Sequence, residues 1–376
     1  MFLLLAEVLK LCTVSAALPE SRFWRFLCFH QSHVEWVGCS LHDLIMPSFC
    51  FLVGVALSLS VANRRARGQT TGALAWHTAI RIMVLILLGT LIASAGPRRL
   101  TWPFDWVLPQ IALGYGFLFL LSIRLIRSSW IALGAILCCY WLAFALYPLP
   151  GPDFDYTKVG ISKQWMENYG LTGFAAHWQK NSNFAWSFDV WFMSLFPRKE
   201  PFAYHNLGLA TLNFIPTLAT MILGLIAGNM LRSDRSPWSK VRLLVAAGVA
   251  GLVSGWLLGE LGLCPVVKAI WTPSWVLFSG GWCFLLLGVF CVLVDIWGLK
   301  GLMFPLIVIG MNSIAAYCIS QLYRSIAFNS LRRIVGWEIF RLFGDAYEHV
   351  VYGAVILLGF WLVLFVMYRR KLFLRI

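Results

Sequence analysis

Between His30 and Asp43 the chain sets three histidines (His30, His33, His42), Glu35 and Asp43, and then runs straight into apolar sequence, Leu44-Ile-Met-Pro-Ser-Phe-Cys-Phe-Leu-Val-Gly54. Imidazole at such a mouth suits acyl transfer, because it titrates near neutrality and serves as a base or as a transient nucleophile. The competing account of His33 is an interfacial ring bonded to a backbone carbonyl. Glu7 and Lys10 interrupt the apolar stretch 1–17. Ionisable groups inside a span are functional candidates, and Glu7 is expected to orient or deprotonate His33 across a cavity. An i,i+3 pair of Glu7 with Lys10 is the plainer alternative. Asp43 stands at a helix start, where a carboxylate also serves as a cap.

Further candidates are scattered along the chain. Arg81 lies deep in the apolar stretch 73–95, where a guanidinium needs an anion, an aqueous cavity or a snorkelling path to the interface. Lys268 and Trp271 join a cation to an aromatic ring, and Asn183 and Asp189 place polar groups among tryptophans, as sugar binding requires. An interfacial aromatic belt yields the same tryptophans. Asn312 and Ser313 interrupt another apolar stretch and must bond a neighbouring helix or a ligand.

The elements that hold these residues are membrane helices. The chain of 376 residues is 60% hydrophobic and only 12% charged, with mean hydropathy +0.77, whereas a soluble domain is about a quarter charged. Apolar runs near 1–17, 41–62, 73–95, 106–123, 129–148, 207–231, 242–262, 274–296, 302–322 and 349–368 predict about ten spans. The expected fold is therefore all-α: one polytopic transmembrane domain over 1–376, with 150–205 as an extracytoplasmic loop packed as a cap. Short connectors carry Arg64, Arg65, Arg67, Arg232, Arg235, Arg369, Arg370 and Lys371. Dense basic charge in short loops marks the cytoplasmic side, so both termini are expected inside and the histidine cluster outside. The net charge of +14 thus reads as topology, and no nucleic-acid partner is expected. The first run has neither a signal-peptide n-region nor a cleavage site. The ten cysteines show no zinc spacing, so no metal is expected. Cys28, Cys39 and Cys264 fall near one face, where a disulfide is allowed.

No GxSxG, HExxH, P-loop or GxGxxG context supports a hydrolase, zincin, NTPase or dinucleotide enzyme. Several blocks in order do carry a resemblance. His33-Val-Glu-Trp36-Val-Gly38, Asp43-Leu-Ile-Met-Pro47, Phe51-Leu-Val-Gly54, Pro265-Val-Val-Lys268-Ala-Ile-Trp271-Thr, Val294-Asp-Ile-Trp-Gly298, Gly310-Met-Asn312-Ser313 and the ending Tyr368-Arg-Arg-Lys-Leu-Phe-Leu-Arg-Ile376 run along nearly the whole chain. Together they resemble the heparan-α-glucosaminide N-acetyltransferase family and its bacterial transmembrane acyltransferase relatives.

That resemblance implies cytosolic acetyl-CoA as donor, a saccharide acceptor on the far side, and residence in a bacterial inner (plasma) membrane, with a homodimer allowed. The family's active-site histidine falls on His33, and its polar partner, an Asn, falls on Glu7. Asn183 and Asp189 match an N-x-A-x-x-x-D block. Three departures stand out: the D-x-x-R-G block before the first span has no counterpart, implying a late start. The L-Q-R block reads Leu108-Pro-Gln110, and Glu replaces Asn at position 7. The expected site is then His33, Glu7 and Asp43 for catalysis, Arg81, Arg64, Arg65, Gln110, Asn312 and Ser313 toward the donor, and Asn183, Asp189, Lys268 and Trp271 toward the acceptor. Lys268 or Asn312 is the expected oxyanion donor. His30 and His42 lie outside the H-x-x-W-x-G position and are expected to be dispensable. A transporter of a small anion or glycan, using Arg81 and Glu7 without bond chemistry, is the rival reading.

Overall fold

The computed structural model describes residues 1–96, 102–197, 200–336 and 338–374. Among the described residues the chain is helical without a β-strand, and one isolated antiparallel bridge joins Val37 to Val267. Among the described residues seven helices are long and apolar enough to cross a membrane: His42–Ala66, Thr71–Ser94, Ile126–Ala145, Thr211–Arg232, Pro237–Glu260, Pro273–Ile296 and Asp345–Arg369. An eighth candidate is a broken pair, Lys300–Met311 and Ser313–Val335, bent by 73°. Val107–Ser122 is apolar but shorter.

Local chemistry starts these helices where the sequence supplies caps. Thr70 accepts from Ala73 N, Ser236 from Ser239 N and Thr272 from Trp275 N. Pro237 and Pro273 follow the last two caps at the first helical position, where a missing N–H costs nothing.

Thr211–Arg232 is the most enclosed of the long helices, with 72% of its apolar stretch buried. It crosses Ile45–Ala66 at backbone contact: a Cβ at Gly54 would strike Met221 O, and one at Gly224 would strike Phe51 O. Small residues permit such approach where lipid offers no hydrophobic drive for helices to associate. Gly251 and Gly281 play the same part between Pro237–Glu260 and Pro273–Phe290.

Two expected spans are broken rather than continuous. Residues 1–17 fold as Phe2–Leu5, a 3-10 turn Ala6–Leu9, and Leu11–Ala17. The break falls at Lys10, which is left-handed at φ 47°. Broken backbone at membrane depth must find partners inside the protein, and Gln31 supplies them. Its amide donates to Ala6 O and its carbonyl accepts from Leu11 N. The second break is Asn312, whose side chain donates to Leu372 O at 3.0 Å and accepts from Leu374 N at 3.1 Å.

The segment between Ile126–Ala145 and Thr211–Arg232 carries helices Lys163–Tyr169 and Phe184–Met193, with 3-10 turns at Tyr156–Val159 and Gly173–Trp178. Trp36, Tyr140, Phe144, Trp178 and Val267 form a buried cluster beneath it. Cys12 and Cys28 form a disulfide, while Cys39 and Cys264 are free thiols. The pairing therefore involves Cys28 but neither of the partners that lay near it in the sequence reading.

The glycine crossing yields a stability prediction. Gly224→Val should cost at least about 1–3 kcal/mol, because backbone occupies the space its side chain needs. Gly301→Val should change little, since nothing lies within 4 Å of a Cβ there. Thermal unfolding of the purified variants in detergent checks the contrast.

Candidate active site

The site begins with Asp43, which is 1% exposed. Ser40 and Asp43 form a reciprocal cap: Ser40 N donates to Oδ2 at 3.0 Å, and Asp43 N donates to Ser40 Oγ at 3.3 Å. Val34 N also donates to Oδ2, at 3.3 Å. The other oxygen, Oδ1, lies 2.7 Å from His33 Nδ1 and 3.1 Å from Lys268 Nζ. Capping therefore explains one oxygen of Asp43 and leaves the other for His33 and Lys268.

The motif spacing around His33 has a mechanical reason. Trp36 is buried, and its indole N–H donates to Trp178 O at 3.2 Å, which fixes the loop beneath the 150–205 segment. Gly38 turns the chain at φ 117°, a conformation that favours glycine, and its N–H donates to Val266 O at 2.9 Å. With the Val37–Val267 bridge, this pairs the histidine loop to the loop carrying Lys268. That second loop is wound around Thr272, whose Oγ1 accepts from Val267 N at 3.1 Å and lies 2.8 Å from Pro265 O. Trp271 takes a left-handed φ of 49° and is buried, its indole donating to Thr220 Oγ1. Trp271 thus packs in the helical core and is not among the cavity residues.

His33 Nδ1 is also 2.9 Å from Lys268 Nζ. One ring nitrogen cannot donate to a carboxylate and accept from an ammonium at once. The ammonium and His33 both satisfy themselves on Asp43 when Nδ1 carries the proton, which leaves Nε2 with a free lone pair. His33 is 51% exposed at its side chain, and Nε2 has no hydrogen bond among the described residues. Burial pushes the Lys268 ammonium below its usual range, and the Asp43 carboxylate pulls it back up.

A second histidine joins the site, which motif spacing did not reveal. The His42 ring sits 4.5 Å from the His33 ring, and its Nε2 lies 3.1 Å from Glu7 Oε1. The other Glu7 oxygen pairs with Arg324, while Lys10 lies over the Phe328 ring. Glu7 thus reaches the site through His42, and neither Lys10 nor His33 is its partner. The readable signal was the apolar helix start carrying two adjacent titratable groups, His42 and Asp43.

These groups line a cavity of about 390 Å³. Its lining joins charged groups, Glu35, Lys180, Asp105 and Lys268, to apolar ones, Leu4, Met46, Phe49, Trp106 and Tyr317. Arg81 and Arg64 lie elsewhere, together in a crevice of about 30 Å³ with His77 and Thr78. The Arg81 guanidinium bonds the Tyr115 hydroxyl and lies 5.3 Å from that ring's centroid. Arg65 does not line this crevice. Gln110 is buried between Ala210 O and Thr217, and Asn312 is taken up by the C-terminal backbone with Ser313 beginning the next helix. Asn183 caps Phe184–Met193, and Asp189 accepts from Thr211 N. Those two line a separate small recess beside His205.

No protein-family model matches the chain. Two curated relatives do: heparan-alpha-glucosaminide N-acetyltransferase of Mus musculus, at 24% identity, and that of Homo sapiens, at 25%. Each match covers 94% of this chain but only 57% and 56% of the relative, so the chain spans little more than half their length. The resemblance seen in the ordered blocks thus extends over nearly the entire sequence.

The shared carboxylate makes a prediction about Lys268. Asp43→Asn removes the charge that holds the ammonium up, so the amine should titrate lower and react faster with an acylating label at pH 8. The neutral fraction rises about tenfold per unit lost. Mass mapping of labelled peptides, on protein that keeps its thermal transition, checks the rate; an unchanged rate means Asp43 does not govern Lys268.

Proposed function

We propose that this chain is a transmembrane acyltransferase that passes an acetyl group from acetyl-CoA on the cytoplasmic side to an amino sugar or glycan on the other side. The observation that carries the proposal is the Asp43–His33 couple with Lys268 beside it, at the wall of a cavity large enough for a sugar. Likeness to two N-acetyltransferases supports the same reaction class.

In the proposed reaction Asp43 holds the His33 tautomer, and Nε2 supplies the lone pair. Acting as base, Nε2 takes a proton from the acceptor amine as its nitrogen attacks the thioester carbonyl. The C–S bond then breaks and the proton passes to the departing thiolate. Acting as carrier, Nε2 itself attacks the carbonyl and the thiolate leaves; the amine then attacks the acyl-imidazole, the Nε2–acyl bond breaks, and the amine's proton passes to the thiolate. Lys268 is the proposed cation for the oxyanion in either course. The apolar part of the cavity lining would receive the pantetheine arm, while Arg64 and Arg81 would hold the donor's phosphates at the inner face.

This sidedness puts residues 150–205 outside as a cap within a single transmembrane domain. Ten passes result when the broken 1–17 segment and Val107–Ser122 each cross. Labelling of cysteines engineered into each loop should mark the 150–205 loop in intact cells, and should mark residues 64–72 only after permeabilisation; reversed accessibility would overturn the orientation.

The deciding assay incubates purified protein with labelled acetyl-CoA and amino sugars. Transfer to the sugar is expected, whereas movement of label across vesicles with its bond intact would favour a transporter. His33→Ala should lower transfer by at least about 10²-fold with donor binding retained, and Arg81→Ala should weaken donor binding. His30→Ala should keep most activity. Label remaining on the protein when acceptor is omitted identifies the carrier course. A His33→Ala protein that transfers at the wild-type rate would sink the assignment.

A further inference from the structure

Two imidazole–carboxylate couples line the same cavity. His33 is joined to Asp43, and His42 Nε2 lies 3.1 Å from Glu7 Oε1. The two ring centroids are 4.5 Å apart. His33 is half exposed at its side chain, whereas His42 is buried and begins the 3-10 turn His42–Leu44. The proposed reaction uses the first couple and leaves the second without a task.

The geometry of the second couple suits it to accept a proton. A carboxylate only accepts hydrogen bonds, so a neutral His42 meets Glu7 through an N–H on Nε2 and keeps its lone pair on Nδ1. Among the described residues Nδ1 makes no hydrogen bond. The titratable and charged groups around the ring are Glu7 with Arg324 behind it, His33, Asp43 with Lys268, and Tyr317 from Ser313–Cys318. Glu7 and Arg324 cancel in charge, as do Asp43 and Lys268. One imidazolium then keeps a carboxylate at contact, but a second would lie against a like charge.

Acyl transfer to an amine needs more than one proton acceptor. An aliphatic amine is largely an ammonium below about pH 7, and the product is an uncharged amide. The nitrogen loses one proton to expose its lone pair and another once the N–C bond has formed. That second proton ends on the departing thiolate in either course. The first has no acceptor among the groups assigned above.

We propose that His42, held by Glu7, is the second proton-accepting group of this cavity and takes the first of those two protons. This rests on the reading of the cavity as the acceptor site of an acyltransferase. An ammonium N–H bond breaks, its electron pair stays on the amine nitrogen, and the proton bonds His42 Nδ1. The imidazolium keeps its Nε2–H on Glu7 and yields the proton to water, since charge on both rings is disfavoured. The freed amine then attacks the acyl carbonyl. One proton is released to water for each amide and thiol formed.

Two measurements on the purified full chain test this. The first omits acetyl-CoA and follows isotope-labelled imidazoles by NMR against pH, with signals assigned from His33→Gln and His42→Gln. The His42 signal should titrate in two steps that become one in His33→Gln, as coupled sites do. A His42 signal that never titrates, or is indifferent to His33, overturns the inference. The second follows transfer from acetyl-CoA to D-glucosamine against pH. His42→Gln keeps a donor for Glu7 and should lower kcat/KM by about 10²-fold at pH 6. At pH 9, where the amine arrives uncharged, it should approach the wild-type value. Glu7→Gln should lose less with the same pH dependence, and His33→Gln should lose activity at both pH values. A loss in His42→Gln that is equal at both pH values marks a packing role and overturns the inference. Full activity of that variant at pH 6 overturns it too, because the first proton then goes directly to water. Coupled titration without acetyl transfer upholds the proton-accepting couple and rejects the transferase. Transfer by a chain whose His42 is indifferent to His33 does the reverse.

Discussion

The Asp43 carboxylate is the group on which the site depends. Almost wholly buried, it accepts from two backbone N–H groups and meets His33 and Lys268 on its remaining oxygen. A buried charge persists only when its lone pairs are met by donors, and these donors come from two separate stretches of chain, the loop 32–41 and the loop 265–272. The helix start, the loop 32–41 and the loop 265–272 must therefore arrive together. Removing the carboxylate would leave a buried ammonium without its counterion and a histidine without its orienting group.

The same requirement for satisfied polar groups shapes the segments around it. Gln31 closes the backbone break at Lys10, and the Cys12–Cys28 disulfide ties the same two stretches. Both lie just ahead of His33 in the chain and anchor the entry to its loop. On the other side Trp36 is held beneath the 150–205 segment through Trp178 O. His33 is thus mounted between a stapled helix and a buried tryptophan. Its ring remains half exposed while the residues that hold it are not.

The cavity and the Arg64–Arg81 crevice lie at different places along Ile45–Ala66: Asp43 just precedes that helix, and Arg64 is in its last turn. A helix of this length spans about 30 Å of bilayer. The central crossing of Ile45–Ala66 with Phe214–Arg232, made close by Gly54 and Gly224, keeps this helix fixed between its two ends. Rigid placement of that helix is what relates a group at one face to a group at the other.

Much of this was legible in the residues themselves. Long apolar runs dictate helices because unsatisfied backbone cannot lie in lipid, and seven of the expected spans appear as long helices near their expected positions. His33 and Asp43 stood out through type and spacing, and they meet. The pieces that sequence could not place depend on contacts between distant segments. The break at Lys10 exists because Gln31 and the Glu348–Arg369 helix pack against it, where a Cβ on Gly353 would strike Val8 O. Asn312 looked available to a ligand, but the C-terminal backbone returns to occupy it. Trp271 looked like a sugar platform until Thr220 and the core enclosed it. His42, outside the H-x-x-W-x-G position, lies between Glu7 and His33, a contact that the sequence spacing did not show. One-dimensional pattern determines which stretches must be helical and which groups are costly to bury. Only the tertiary structure decides which partner repays that burial, because hydrogen bonds and ion pairs act over a few ångströms between residues far apart in the chain.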